Sequence, residues 1–320
     1  MESPQNIKKR LKSVKNINQI TKAMELVSAT KMRKSQQIAL DSRPYAFAAL
    51  DFLATLSVIE AKLPPLFETR NNIKKVLFVL VASDKGLAGA FNSSVFKKFE
   101  KHQMEYPASA KGSGVAKEEH LFLAVGEKSN AYLTKRGFKV IKKFIHAGDH
   151  TTPEQVAPLT DFIVKGFLTR EWDRVIVIST HFRSALKQEA HVRRILPIDF
   201  DHVADTIRDI IPERGKFADL IKEHHISFVP ELAKIKEYTI EPSPEKLLEK
   251  LAEHLFFMQM YHLILEANAS EHSARRMAMK TASDNANDLG QKLNLQYNKS
   301  RQSRITTEIS EISAGAEALS

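Results

Sequence analysis

From Glu245 to Ser320 the chain contains no proline and only two glycines, Gly290 and Gly315, while Pro242 and Pro244 close off what precedes. That composition predicts one uninterrupted helix, roughly 110 Å long at about 1.5 Å per residue. No compact domain is that deep, so most of the helix is expected to run outside its own globule. Its last part, RITTEISEISAGAEALS, places Ile305, Ile309, Ile312, Ala316 and Leu319 at spacings of 4, 3, 4 and 3. Such a seam requires a facing surface.

The other end of the chain supplies a second long helix. No glycine precedes Gly86, and no proline lies between Pro4 and Pro44, so residues 5–57 read as one helix with a kink at Pro44. Ile7, Leu11, Val14, Ile17, Ile20, Met24 and Val27 form an apolar stripe whose spacings drift from a strict heptad, so an irregular supercoil is expected. Residues 5–43 carry ten Lys and Arg against Glu25 and Asp41, which is +8 of the chain's net +10. A charge so concentrated points to an anionic partner. No aromatic residues interleave the lysines to stack bases, and no Trp/Phe/Leu-rich face suits a membrane surface. An acidic protein surface fits best. A basic coiled-coil scaffold or a nucleic-acid binder is the alternative.

Between the helices the period changes. KKVLFVLVAS (74–83), LFLAVG (121–126), FKVIKKFI (138–145) and RVIVIST (174–180) are apolar, β-branched runs expected of buried strands. Helical spacing separates them over Ser94–Met104, Glu127–Arg136 and Pro153–Thr169. Strand–helix alternation implies a Rossmann-like α/β sheet. QEAHVRRILPI reads as an edge strand, and Ile207–His224 as a helix pair broken at Pro212. Residues 106–119, rich in Ala, Ser, Gly and Lys, read as a solvated insertion. The fold class is α/β with long helices: an antiparallel coiled coil of the terminal helices plus a central α/β domain. The expected divisions are 1–62, 70–240 and 243–320. Aligned at the domain end, the longer C-terminal helix would overhang by about 22 residues, roughly 33 Å, leaving its seam to other chains.

Little else carries chemistry. There is no cysteine, which excludes disulfides and thiol-ligated zinc. No apolar run approaches the ~20 residues that span a bilayer, and no leader sequence is apparent at the N-terminus. SDKGLAGAFN (83–92) sits between a strand and a helix, where phosphate loops occur, but it is G-x-x-G rather than a dinucleotide or phosphate-loop motif. A turn presented to a partner is the better reading. Of twelve histidines, HAGDH (146–150) comes nearest to ligand spacing yet lacks a third ligand, and surface or loop positions are expected for all of them. No catalytic arrangement and no cofactor or metal site is expected. Ala274, Ala278, Ala282 and Ala286 form a small-residue line for close helix approach, continued by Leu289 and Leu293.

IKKRLKSVKNINQITKAMELVSATKMRKSQ (7–36), SDKGLAGAFN (83–92) and ASEHSARRMAMKTASDNANDL with LQYNKSRQSRITTEISEISAGAEAL (within 269–319) resemble the gamma subunits of F-type ATP synthases. The resemblance spans both long helices and the first strand–turn unit, in order. It implies a rotor: the terminal helices form an asymmetric shaft inside a ring of three alpha and three beta subunits. The α/β domain would sit at the foot with the epsilon subunit on the c-subunit ring. Proton flow would turn the shaft, and its asymmetry would drive the beta sites through their catalytic conformations. The resemblance implies no catalysis and no cofactor in this chain, no nucleic acid partner, no bilayer insertion, and a peripheral place on the cytoplasmic face of a bacterial membrane. By position, Arg301 and Gln302, then Thr306 and Glu308, would meet a loop of beta, and Ile309, Ile312 and Leu319 would enter an apolar collar. Met24 with Lys22 and Lys31 would face the acidic lever loop of beta, near the turn Gly86, Leu87, Ala88. Ala88 departs from the cysteine common there, and Arg276 and Arg304 from apolar or small residues.

Overall fold

The computed structural model describes residues 3–41, 64–70, 72–106, 118–145, 151–198 and 243–317. It divides into two units, Met1–Thr30 with Arg275–Ser320, and Lys31–Ala274. Two long helices contribute to both: α1 (Pro4–Asp41) and α5 (Pro244–Glu317). The expected kink at Pro44, the histidine motif at 146–150, most of the 106–119 insertion and the helix pair at 207–224 fall outside the described residues, as does Leu319.

The second unit is built on a five-stranded sheet in the order β3-β2-β1-β4-β5. β1 (Lys75–Val81), β2 (Glu119–Val125), β3 (Val140–Phe144) and β4 (Arg174–Phe182) run parallel, and β5 (Gln188–Leu196) closes one edge antiparallel to β4. Helices α2 (Phe91–Glu105), α3 (Glu127–Lys135) and α4 (Pro153–Leu168) connect the parallel strands. All lie within a few residues of their expected positions, and QEAHVRRILPI is the edge strand. Successive side chains of a strand point to opposite faces, so β1 feeds two cores. Leu77, Val79 and Val81 join Val156, Leu159, Ile163, Phe167 and the α5 residues Leu248–Ala267. Val76, Phe78 and Leu80 meet Val95, Phe99 and Leu133 from α2 and α3. Arg70 fastens one end of the sheet, donating to Asp173 Oδ1 (2.9 Å), Trp172 O (3.0 Å) and Phe167 O (2.8 Å).

In the first unit α1 and α5 pair antiparallel: Ser283 Oγ donates to Asn18 Oδ1 (2.5 Å), and Gly290 faces Val14. Ile7, Leu11, Val14, Asn18, Thr21, Glu25 and Ser28 of α1 are buried or half-buried and form the seam, with Pro4, Met24 and Ala29 half-buried beside them. The seam's spacings are 4, 3, 4, 3, 4 and 3, a strict heptad. The expected stripe is therefore corrected: it leaves the seam after Val14, and Ile17, Ile20 and Val27 are exposed. The inner positions that follow hold short polar side chains, which an apolar count passes over. Opposite them, α5 buries or half-buries Met279, Ser283, Ala286, Gly290 and Leu293, again at heptad spacing. The alanine line is corrected likewise. Ala286 is in the seam, Ala274, Ala278 and Ala282 are half-buried beside it, and Leu289 is exposed.

Candidate partner surfaces and a buried polar cluster

The heptad of α5 ends with Tyr297 and Ser300, both half-buried, about level with the start of α1. Beyond them the side chains described from Arg301 onward are all exposed, although the backbone stays helical to Glu317. Those seventeen residues (301–317) extend about 25 Å, somewhat less than the expected overhang. Ile305, Ile309 and Ile312 are 45%, 59% and 73% exposed on this bare helix. Arg304 donates to Glu308 (2.7 Å) and Thr306 to the carbonyl of Gln302 (3.0 Å), so the local polar contacts run along the helix itself. An apolar row thus stands exposed on an otherwise polar stretch that no other described element accompanies.

On α1, Lys22 is exposed and ion-paired with Glu25 (3.0 Å), while Met24 and Lys31 are half-buried. Ile17, Ile20 and Val27 lie outward at helical spacing around Met24, so this segment presents an apolar stripe among lysines. The displaced stripe is thus a second outward face.

The turn after β1 is braced from within. Ser83 Oγ donates to Lys85 O (2.7 Å), Asn92 Oδ1 accepts from Ser83 N (3.0 Å), and Asp84 Oδ1 accepts from Glu127 N (3.1 Å). Ala88 is buried and anchors the turn, whereas Leu87 is 63% exposed at φ 64°. A γ-branched residue in the left-handed region costs about 1–2 kcal/mol, which the brace sustains. Gly86 has no atom within 4 Å of where a Cβ would stand, so its side of the turn is open.

A further cluster went unread in the sequence. Met260 through Ser273 of α5 is buried on every side, and within it Glu266 has an 8% exposed side chain. His181 Nδ1 on β4 donates to both Glu266 oxygens (3.0 and 3.1 Å). His262, one helical turn back, stands 3.4 Å away, and Arg193 on β5 lies 3.5 Å from the other oxygen. Burial alone would raise the Glu266 carboxyl. The hydrogen bond from His181 and the imidazole of His262 outweigh it and hold the group well below the usual carboxylate range. His181, His262 and His272 are buried, which corrects the expectation of surface histidines. One signal was available: His262 and Glu266 stand at i, i+4 in an otherwise apolar stretch. The partners on β4 and β5, some 70 to 85 residues earlier, were not readable. Among the described residues no group of His, Cys, Asp or Glu could hold a metal ion, and no helix is long and apolar enough to cross a membrane.

The sequence profile of the family described as ATP synthase matches residues 3–319. The chain is 35% identical over 319 residues to the ATP synthase gamma chain of Bdellovibrio bacteriovorus, covering 100% of this chain and 99% of that one. This chain belongs to the ATP synthase gamma family. Its similarity to the gamma chain of Chlorobaculum parvum is of the same order, 34% over 320 residues with 100% and 99% covered. The fold is that of the rotor of Euglena gracilis mitochondrial ATP synthase in rotational state 1, with a TM-score of 0.58 at 16% identity over 94% of this chain and 98% of that one. A chain of the same enzyme in rotational state 3 gives a TM-score of 0.60 at 16% identity, covering 99% and 94%. The gamma-family chain is thus a subunit of an ATP synthase, with the α/β sheet and paired long helices of the central stalk.

Proposed function

We propose that this chain is the non-catalytic central shaft of a proton-translocating ATP synthase, coupling rotation of a c-subunit ring to the conformational cycle of three catalytic beta subunits. The observation that carries the reading is the exposed end of α5, where Ile305, Ile309 and Ile312 line a helix that the described residues leave open. Such a row fits the inside of an apolar collar formed by alpha and beta subunits. Arg301, Gln302, Thr306 and Glu308 lie on the same exposed length and supply polar contacts to a beta loop. Lys22, Met24 and Lys31 with the outward stripe of α1, and the turn Gly86–Leu87–Ala88, are the surfaces for the acidic lever loop of beta. Exposed ion pairs contribute only about 0–1 kcal/mol each, so a lysine-bearing shaft against acidic loops is attracted without a deep lock at one angle.

The reading divides the chain into shaft helices at 1–62 and 243–320 and a foot at 70–240. The foot would bind the epsilon subunit and the c ring at the cytoplasmic face of a bacterial membrane. The test is assembly of alpha and beta from the same source with and without this chain. ATP hydrolysis and hydrolysis-driven proton pumping are expected to require it, and a complex that pumps equally well without it would overturn the reading.

A further inference from the structure

Helix α5 is held in the second unit by two kinds of contact that resist different motions. Its apolar residues from Leu248 to Ala267 join the sheet's core. Burial of apolar surface is non-directional, so it opposes removal of the helix more than turning or sliding. Hydrogen bonds are directional and weaken steeply once distance and angle depart from their optimum. Several such bonds from α5 to the sheet and its loops lie between Tyr261 and Ser273. Tyr261 donates to Thr151 O (3.1 Å), Asn268 to Thr151 Oγ1 (2.6 Å) and Ser273 to Ala185 O (2.7 Å). Between them lies Glu266, which contacts two strands at once, His181 on β4 and Arg193 on β5.

Stability alone gives a weak reason for that cluster. A buried ion pair is commonly no better than well-packed apolar residues of the same volume, but dismantling one leaves a buried charge uncompensated. Its distinctive property is therefore resistance to displacement. Advancing α5 by one residue turns it about 100° and shifts it about 1.5 Å, enough to take the Glu266 carboxylate out of hydrogen-bond reach of His181.

We infer that Glu266, with His181 and Arg193, is a torque clamp: a positioning residue that locks α5 against the sheet so that twist applied to one is carried by the other. The inference rests on the rotor reading above and adds to it the point of grip inside this chain. It separates two quantities that a merely structural residue would move together. ATP hydrolysis needs a shaft in the ring, whereas pumping needs that shaft not to slip on its foot.

The test uses the complete complex in sealed vesicles, with ATP hydrolysis and ATP-driven proton uptake measured on one preparation. Glu266→Gln is expected to leave hydrolysis within about twofold of the unaltered complex and to lower protons moved per ATP at least threefold. Leu159→Ala, a cavity in the same core away from the cluster, is the stability control and is expected to leave that ratio unchanged. The triple replacement Glu266→Leu, His181→Phe, Arg193→Met restores apolar packing without directional bonds and is expected to be stable yet slip. An unaltered ratio in Glu266→Gln and in the triple variant overturns the clamp, as does failure of both to assemble, which would make the cluster a folding element. Failure of the unaltered complex to pump would instead overturn the rotor reading.

Discussion

Replacing Ile305, Ile309 and Ile312 together by alanine separates what the bare end of α5 does for its own fold from what it does for a partner. Each replacement removes three carbons, and burying one contributes about 0.8 kcal/mol of stabilisation. The fractions still open to a partner are 45%, 59% and 73%. If a collar covers all of that area, the three changes weaken its capture of the shaft by about 4 kcal/mol, close to a thousandfold in affinity. Within the free chain these side chains have little left to lose, and alanine is the better helix former by a few tenths of a kcal/mol per site. The free full-length chain is therefore expected to unfold within about 1–2 °C of the unaltered one. Titration of labelled chain into alpha–beta assemblies, beside thermal unfolding of the chain alone, checks both halves. A fall of several degrees in the free chain with unchanged capture would refute the reasoning, because the isoleucines would then be covered from within.

Leu87→Gly relieves the left-handed strain and is expected to leave the free chain at least as stable, to within about 1 kcal/mol, while weakening association with beta; thermal unfolding and a binding titration check this. Asn18→Leu alone should cost about 1–3 kcal/mol by leaving Ser283 Oγ without its acceptor, whereas Asn18→Leu with Ser283→Ala should be nearly neutral; urea unfolding of the unaltered chain, the two single variants and the double variant gives the coupling. The Glu266 carboxyl is held below its unfolded value, so its contribution to stability is complete above about pH 4.5 and is lost as the pH falls toward the folded value. Glu266→Gln should accordingly flatten the decline of unfolding free energy between about pH 5 and pH 3, as read from urea midpoints; an unchanged slope would remove Glu266 from that decline. Gly166→Ala would drive a methyl group into the ring of buried Trp172 and should destabilise the free chain by about 1–3 kcal/mol, measurable by the same unfolding curves.

The sheet was legible in the sequence because each parallel strand is buried on both faces and reads as an unbroken apolar run. KVLFVLV and RVIVIST need no knowledge of their neighbours to be recognised. The long C-terminal helix was legible from what it lacks. The pairing of α1 with α5 was only half legible. Its seam begins with Ile7, Leu11 and Val14 and then passes through Asn18, Thr21, Glu25 and Ser28, so hydrophobicity and burial part company within one helix. Opposite stand Ser283, Ala286 and Gly290, whose small size brings the backbones close enough for short polar side chains to bond across, as Asn18 and Ser283 do. The Glu266 cluster was not legible because its meaning lies in contacts between α5 and the β4–β5 edge. The i, i+4 spacing marked His262 beside Glu266, but nothing among twelve histidines singled out His181.

The uncovered isoleucines have a consequence for the life of the molecule before it meets any partner. In a newly made copy the apolar row between Arg301 and Glu317 lies on a helical stretch that the other described residues leave exposed, and isolated helices of that length are marginal in water. Until capture, that tail will fray and offer itself to proteases and to hydrophobic surfaces of every sort. Copies awaiting a partner are therefore expected to be cleaved within 301–317 before the buried strands of the sheet are reached.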